Sequence, residues 1–307
     1  VGLIVSQNRN KANGKPGKFS SAKPTRAAGA PPKHSVKPSS QRPTSQRFSR
    51  GSGGPQKLDP QKLTKNQRWV VGNHAVLEIL KVRPKSVVKA FFQQGWQSLH
   101  LQNDIYNKTK SLGIQIEEKS RGFLDQIYMN HQGCILLAEG RPEFNEDQLT
   151  NPSQLVFLDG IEDPHNLGAI CRTAWLLNVH GIFIPADRAV DITPTVHKVA
   201  CGGVEHVPVS LETQFKNPIE RFKELGYWVF GLSHKAEKNI FECQFPKQIV
   251  WCIGAEDKGL RSTTEKLCDD LVSIPQISAS ASYNASVATA MALSEGYRQH
   301  RYATSYR

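Results

Sequence analysis

Six runs of strand length and almost unbroken apolar character recur between residues 154 and 307: LVFLDG, GIFIP, HVPVS, YWVFGLS, IVWCIG and LVSIP. A strand covered on one face alternates apolar and polar residues, whereas a run without alternation needs cover on both faces. Helical stretches separate the runs, which supplies that cover and makes a parallel sheet the economical solution. The expectation is one α/β domain over residues 154–307, with six strands and five crossovers.

The rest of the chain divides by composition. Residues 1–66 are poor in apolar side chains and rich in Gly, Pro, Ser, Lys and Arg, so they are expected to be a disordered basic tail. Residues 1–65 carry fourteen Lys or Arg and one acid, Asp59, so they hold more than the whole net charge of +12. A basic arm of this kind suits a polyanion, nucleic acid above all, although a solubility spacer would look the same. Residues 67–143 read as a small α/β unit. In it AVLEILKV and LHLQNDIYNKTKSLG are helices, the second closed by Gly113, and VVKAFF, IQIEE and GCILLAE are strands. The polar segment 144–153 reads as a linker.

The six cysteines form no C-x-x-C pair and have no histidines at zinc spacing, so no metal site is expected. No apolar run approaches the roughly 20 residues of a membrane span, and the opening VGLIV is shorter than a signal core. A cytoplasmic protein with reduced thiols is the expectation.

Three segments carry candidate chemistry, each following a strand at the sheet edge where open α/β folds bind ligands. In LDGIEDPHNLGAICRTA a strand ends at Asp159 and a helix is expected to begin near Asn166. Asn166 could simply cap that helix, and Arg172, two turns in, needs either solvent or a partner. In IGAEDKGL, Gly254 and Gly259 permit a tight turn around the carboxylate of Glu256. In LVSIPQISASASYNASVATAMAL a strand is expected to end at Ile274-Pro275, and small residues then lead past Ser282 and Tyr283 to Asn284, again a possible cap.

Taken in order, these segments resemble the SpoU/TrmH family of the SPOUT class of RNA methyltransferases. The family's Asn and Arg, six positions apart, match Asn166 and Arg172. Its Gly-x-Glu-x-x-Gly-Leu matches Gly254, Glu256, Gly259 and Leu260. Its third motif matches Ile274, Pro275, Ser282, Asn284, Ser286, Val287 and Ala288. VHKVACGGVEHVPV is similar to the branch that methylates guanosine in large-subunit ribosomal RNA. VGNHAV and HQG resemble that branch's L30e-like RNA-binding domain.

The resemblance implies a C-terminal trefoil-knot domain and a homodimer whose sites are completed across the interface. It also implies S-adenosylmethionine as cofactor, held near Gly254, Ile274 and Tyr283, and a ribose 2′-hydroxyl in rRNA or tRNA as acceptor. Arg172, Asn166, Glu256, Ser282 and Asn284 are then the catalytic set. A guanidinium does not deprotonate near neutral pH, so Arg172 is expected to clamp the phosphate beside the target ribose. Asn166, Ser282 and Asn284 would orient Arg172 and the ribose, and Glu256 would hold the loop or a nearby arginine.

Gln276 and Tyr283 stand where the family has Met and Leu. They leave open an alternative, a catalytically weak or inactive RNA-binding protein on the same fold. A dinucleotide-binding enzyme is disfavoured, because no G-x-G-x-x-G follows the first strand of either domain.

Overall fold

In a computed structural model, the protein is described over residues 63–98, 100–187, 191–278 and 281–302. The expectations for the basic tail therefore lie outside the described residues, apart from its last few positions.

The first sheet is built from β1 (Gln67–Val71), β2 (Val87–Gln93), β3 (Ile116–Lys119) and β4 (Cys134–Glu139), in the order β1-β4-β2-β3. Strand alternation sends Val70, Ala90, Phe92 and Leu136 to one face, where α1 (Asn73–Val82) and α2 (His100–Ser111) cover them. Trp69, Phe91, Ile135 and Leu137 go to the other face, against Leu124 of α3 (Arg121–Ile127). The sequence reading lacks both β1 and α3. In α3 a single leucine is fully buried, too little to show helical periodicity.

The second sheet contains β5 (Ser153–Asp159), β6 (Val179–Pro185), β7 (Val209–Glu212), β8 (Trp228–Leu232), β9 (Gln248–Gly254) and β10 (Asp270–Val272). All are parallel, in the order β10-β8-β9-β5-β6-β7. Every residue of β5 is buried, which explains its unalternated run. Val156 and Leu158 face the layer of α4 (Pro164–Leu176), α5 (Pro194–Ala200) and α8 (Ala285–Tyr302). Leu155 and Phe157 face α6 (Lys216–Glu224), where Phe157 stacks on Phe183 at 4.5 Å.

Four expectations need correction. Helix α4 starts at Pro164, not near Asn166. Asp163 is the cap, its Oδ1 accepting from His165 N at 2.9 Å, and proline at the first helical position leaves no donor unpaired. The strand expected to reach Ile274-Pro275 ends at Val272, beyond which Ser273 donates to Lys238 O at 2.9 Å rather than extending the ladder. Residues 233–247 join β8 to β9 without a helix. The 144–153 segment is no free spacer: Phe144 meets Phe183 and Phe222 edge-on at 5.0 and 5.7 Å, and Ser153 already belongs to β5.

Candidate active site

Strands β5 and β9 are neighbours in register from Ser153↔Gln248 to Asp159↔Gly254, so their C-terminal ends finish side by side. At that edge the chain after β9 doubles back, with Gly259 N donating to Ala255 O at 2.8 Å. Gly259 takes φ +67°, and a Cβ on Gly254 would fall on the backbone of Gly259 and Leu260. Glycine is required at Gly254 by backbone-on-backbone contact.

The turn presents Glu256, and its Oε1 gathers three donors. Asn166 Nδ2 lies at 2.9 Å, Asn284 Nδ2 at 2.6 Å and the backbone N of Ala285 at 3.1 Å. Asn284 Nδ2 also donates to Asn166 Oδ1 at 2.9 Å, and Ser282 Oγ donates to Glu256 O at 3.4 Å. The amide of Asn284 has only one workable orientation. Its Oδ1 accepts from Ser286 N at 3.0 Å, and a backbone N–H can only donate. Asn284 is thus both the cap of α8 and a member of the site. The two readings of that residue were not alternatives.

Asn166, Glu256, Ser282 and Asn284, about 120 residues apart at the extremes, therefore meet as expected. Arg172 does not join them. Six residues along α4 carry it roughly 240° around the helix from Asn166, and its exposed guanidinium donates from Nη1 to Cys201 Sγ at 3.5 Å. No hydrogen bond among the described residues connects Arg172 to Asn166, Ser282 or Asn284 within one chain.

Two cavities flank the 255–259 turn. One, of about 360 Å3, is lined by Leu232, Gly254, Ile274, Gln276, Tyr283 and Ala288. It includes all three expected cofactor residues. The other, of about 320 Å3, is bounded by Asp159, Asn166, Glu256 and Arg261. Asp159 is buried and paired with Arg261 through both the backbone N and Nε of the arginine. That pair locks the exit of the turn to the end of β5, and sequence reading missed it, although Arg261 directly follows the glycine motif.

The two departures from the family pattern hold one loop. Tyr283 Oη donates to Pro275 O at 3.0 Å, and Gln276 Nε2 donates to Ala281 O at 3.0 Å. The bulk of Tyr283 is turned back along its own segment.

Sheet, turn and interlocked carboxamides define an α/β protein with cavities at its strand ends, where open α/β sheets place ligands. The SpoU rRNA Methylase family matches residues 153–294, and the family described as RNA 2′-O ribose methyltransferase substrate binding matches residues 69–143. The chain is 36% identical over 241 residues to the 23S rRNA (guanosine-2′-O-)-methyltransferase RlmB of Neisseria meningitidis serogroup B, covering 76% of this chain and 96% of that protein. The RlmB of Vibrio vulnificus is 33% identical over 242 residues, covering 76% and 98%. Among solved structures, the SpoU methyltransferase AviRb from Streptomyces viridochromogenes, in complex with AdoMet, shares the fold. Its TM-score is 0.67 at 20% identity, covering 76% of this chain and 90% of that one. The chain belongs to the SpoU rRNA methylase family.

Proposed function

We propose that this protein transfers the methyl group of S-adenosylmethionine to the ribose 2′-hydroxyl of a guanosine in large-subunit ribosomal RNA. The observation that carries the reading is the meeting of Asn166, Glu256 and Asn284 beside a cavity at the strand ends, in a chain aligned with nearly the full length of 23S rRNA guanosine methyltransferases. Those relatives favour rRNA over tRNA as the acceptor.

The residues present fit the cofactor. The glycine-tight turn at Gly254 lets main-chain groups line the cavity, and Leu232 and Ile274 give it apolar walls suited to a purine. When bound, S-adenosylmethionine supplies an electrophilic methyl and departs as a thioether. Glu256 fixes the turn and the amides of Asn166 and Asn284, which orient the ribose. Arg172 clamps the phosphate next to it, and that phosphate helps accept the hydroxyl proton. Alignment of two bound reactants is itself a large part of such catalysis. The intact interlock weighs against the alternative of a scaffold without chemistry.

The same reading includes a homodimer. A groove of about 730 Å3 runs along α4 and α8, lined by Thr173, Leu176, Val287, Ala290 and Met291. Leu176 and Val287 are 66% and 43% exposed there, and a second copy would cover them. Arg172 projects from the same α4 and would complete the partner's site. The reading extends to a trefoil knot, supported by the packing of the 255–260 turn against 282–285. It further takes residues 67–143 as an L30e-like RNA-binding domain, residues 154–307 as the methyltransferase domain, and the cell compartment as cytoplasm. No helix of the described residues is long and apolar enough to cross a membrane.

Mass mapping of ribose methylation in ribosomal RNA, from cells with and without this gene, tests the reaction. Loss of one 2′-O-methylguanosine is expected, and an unchanged map would overturn it. Mixing inactive Arg172→Ala and Asn284→Ala chains tests the shared site. Mixed dimers should regain activity, and an active monomer in sedimentation would remove the model.

A further inference from the structure

Residues 197–206, from the end of α5 through a short 3-10 turn, lie between the N-terminal α/β unit and the helix that carries Arg172. On one side, the Nη2 of Arg68 in β1 donates to both carboxylate oxygens of Glu205, at 2.8 and 2.6 Å, and Arg83 Nη1 reaches it at 3.3 Å. The side chains of Arg68 and Glu205 are only 4% and 0% exposed. His206 Nε2 pairs with Glu78 Oε2 of α1 at 2.9 Å, and Lys198 Nζ donates to Asn130 O at 2.9 Å. A Cβ on Gly202 would come within 2.6 Å of Glu78 Cβ, so the two parts are in tight contact.

On the other side, the same ten residues seat the α4 backbone. A Cβ on Gly203 would lie 2.6 Å from Cys171 O and 3.0 Å from Arg172 Cα. His206 stacks on Trp175, one turn after Arg172, at 4.2 Å and 9°. Cys201, in the left-handed region at φ 50°, takes the Arg172 guanidinium at 3.5 Å. The imidazole that Glu78 holds is thus the one that braces the Arg172 helix.

We propose that residues 197–206 are a positioning bridge: docking of the N-terminal unit through Glu78, Arg68 and Arg83 sets the placement of Arg172, so that this unit governs turnover as well as RNA affinity. The inference rests on the reading of Arg172 as the phosphate clamp. Close-packed interiors have low compressibility and transmit strain, and a small misplacement of a clamping group costs rate rather than cofactor affinity.

The test uses the full chain with S-adenosylmethionine and ribosomal RNA. Glu78→Ala should lower kcat at saturating RNA about tenfold, with cofactor Kd and melting temperature near wild type, and Glu78→Gln, which can still accept from His206, should restore most of it. The double variant Arg68→Met/Glu205→Met removes the buried charges together and should show the same kcat loss. If Glu78→Ala raises only KM for RNA, or leaves both constants unchanged, the bridge is overturned, whether or not the double variant folds. Arg172→Ala, run in parallel, separates the two levels. If it retains turnover, the clamp reading falls and the bridge with it. If it is inactive while Glu78→Ala keeps full kcat, only the bridge fails.

Discussion

Asn284 Nδ2 donates to Glu256 Oε1 at 2.6 Å and to Asn166 Oδ1 at 2.9 Å, which ties the first helical turn of α8 to the turn after β9 and to α4. Glu256 is the common acceptor, so its removal should release both loops. Glu256→Ala is expected to weaken S-adenosylmethionine binding by at least about tenfold, near 1.4 kcal/mol, a modest figure for three hydrogen bonds to one carboxylate, two of them exposed. Glu256→Gln keeps an acceptor oxygen and should lose less. Calorimetric titration of both variants checks the order, and equal affinities for Ala and wild type would contradict it.

Arg172 is exposed and, among the described residues, hydrogen-bonds to no member of the carboxamide cluster, so its loss should spare the cofactor. Arg172→Ala is expected to bind S-adenosylmethionine normally and to lose methyl transfer. Retention of more than about a tenth of wild-type turnover, a loss under about 1.4 kcal/mol in the barrier, would show that it is no clamp.

Burial holds Arg68 below the usual arginine range, and the Glu205 carboxylate partly restores it. Two of its nitrogens, Nε and Nη1, are buried without a partner, so Glu205 carries most of the compensation. Glu205→Ala should therefore destabilise the fold by about 3–5 kcal/mol, while replacing both residues with Met should cost far less. Urea unfolding of the two variants decides between a buried charge problem and simple loss of packing.

His197 is 1% exposed, and desolvation, aided by the charges of Arg68 and Arg141, pushes its imidazole well below the usual 6.5. Glu205 lies 3.8 Å from its Nδ1 but is already engaged by two arginines, so it does not reverse the shift. The unfolded chain then binds a proton that the folded chain refuses. Stability should be full above about pH 6.5 and fall below it, with a slope approaching 1.4 kcal/mol per pH unit from this residue alone. His131 and His180 shift in the same direction through desolvation. Denaturant midpoints measured across that range should drop with acid, and His197→Leu should flatten the profile.

The basic residues 1–65 test the RNA side. Each phosphate neutralised on a single strand adds about −0.7 to the slope of log K against log salt. If roughly five of the fourteen basic residues engage phosphate, deleting them should flatten that slope by about 3.5. Turnover at saturating RNA should barely change, since uniform binding does not alter the chemical step. Identical slopes for residues 66–307 and the full chain would make the segment a spacer.

Much of this molecule could be read from local pattern. Unalternated runs such as LVFLDG are a direct consequence of burial on two faces, so the six-stranded parallel sheet was visible in them before any contact was known. Gly254 and Glu256 announced a turn because only glycine tolerates the backbone approach made there, and the ordered motifs named Gly254, Ile274 and Tyr283, which line one cavity beside that turn. What local pattern could not carry was anything decided by residues far apart in the chain. The start of α4 went to Asp163 because Pro164 suits the first helical position, although Asn166 is an equally good capping type. By local pattern Asn166 and Asn284 each looked like a cap; the family resemblance grouped them, but their joint contact with Glu256 belongs to the fold. Arg172 stands six residues from Asn166, and the helical turn sends it to a different face, toward Cys201. The pairing of Arg68 with Glu205 had no sequence signal at all, because an isolated charge in an apolar run does not name its partner. Burial periodicity is a property of one element, whereas a carboxylate's partners depend on how elements meet, and that was decided only in the folded chain.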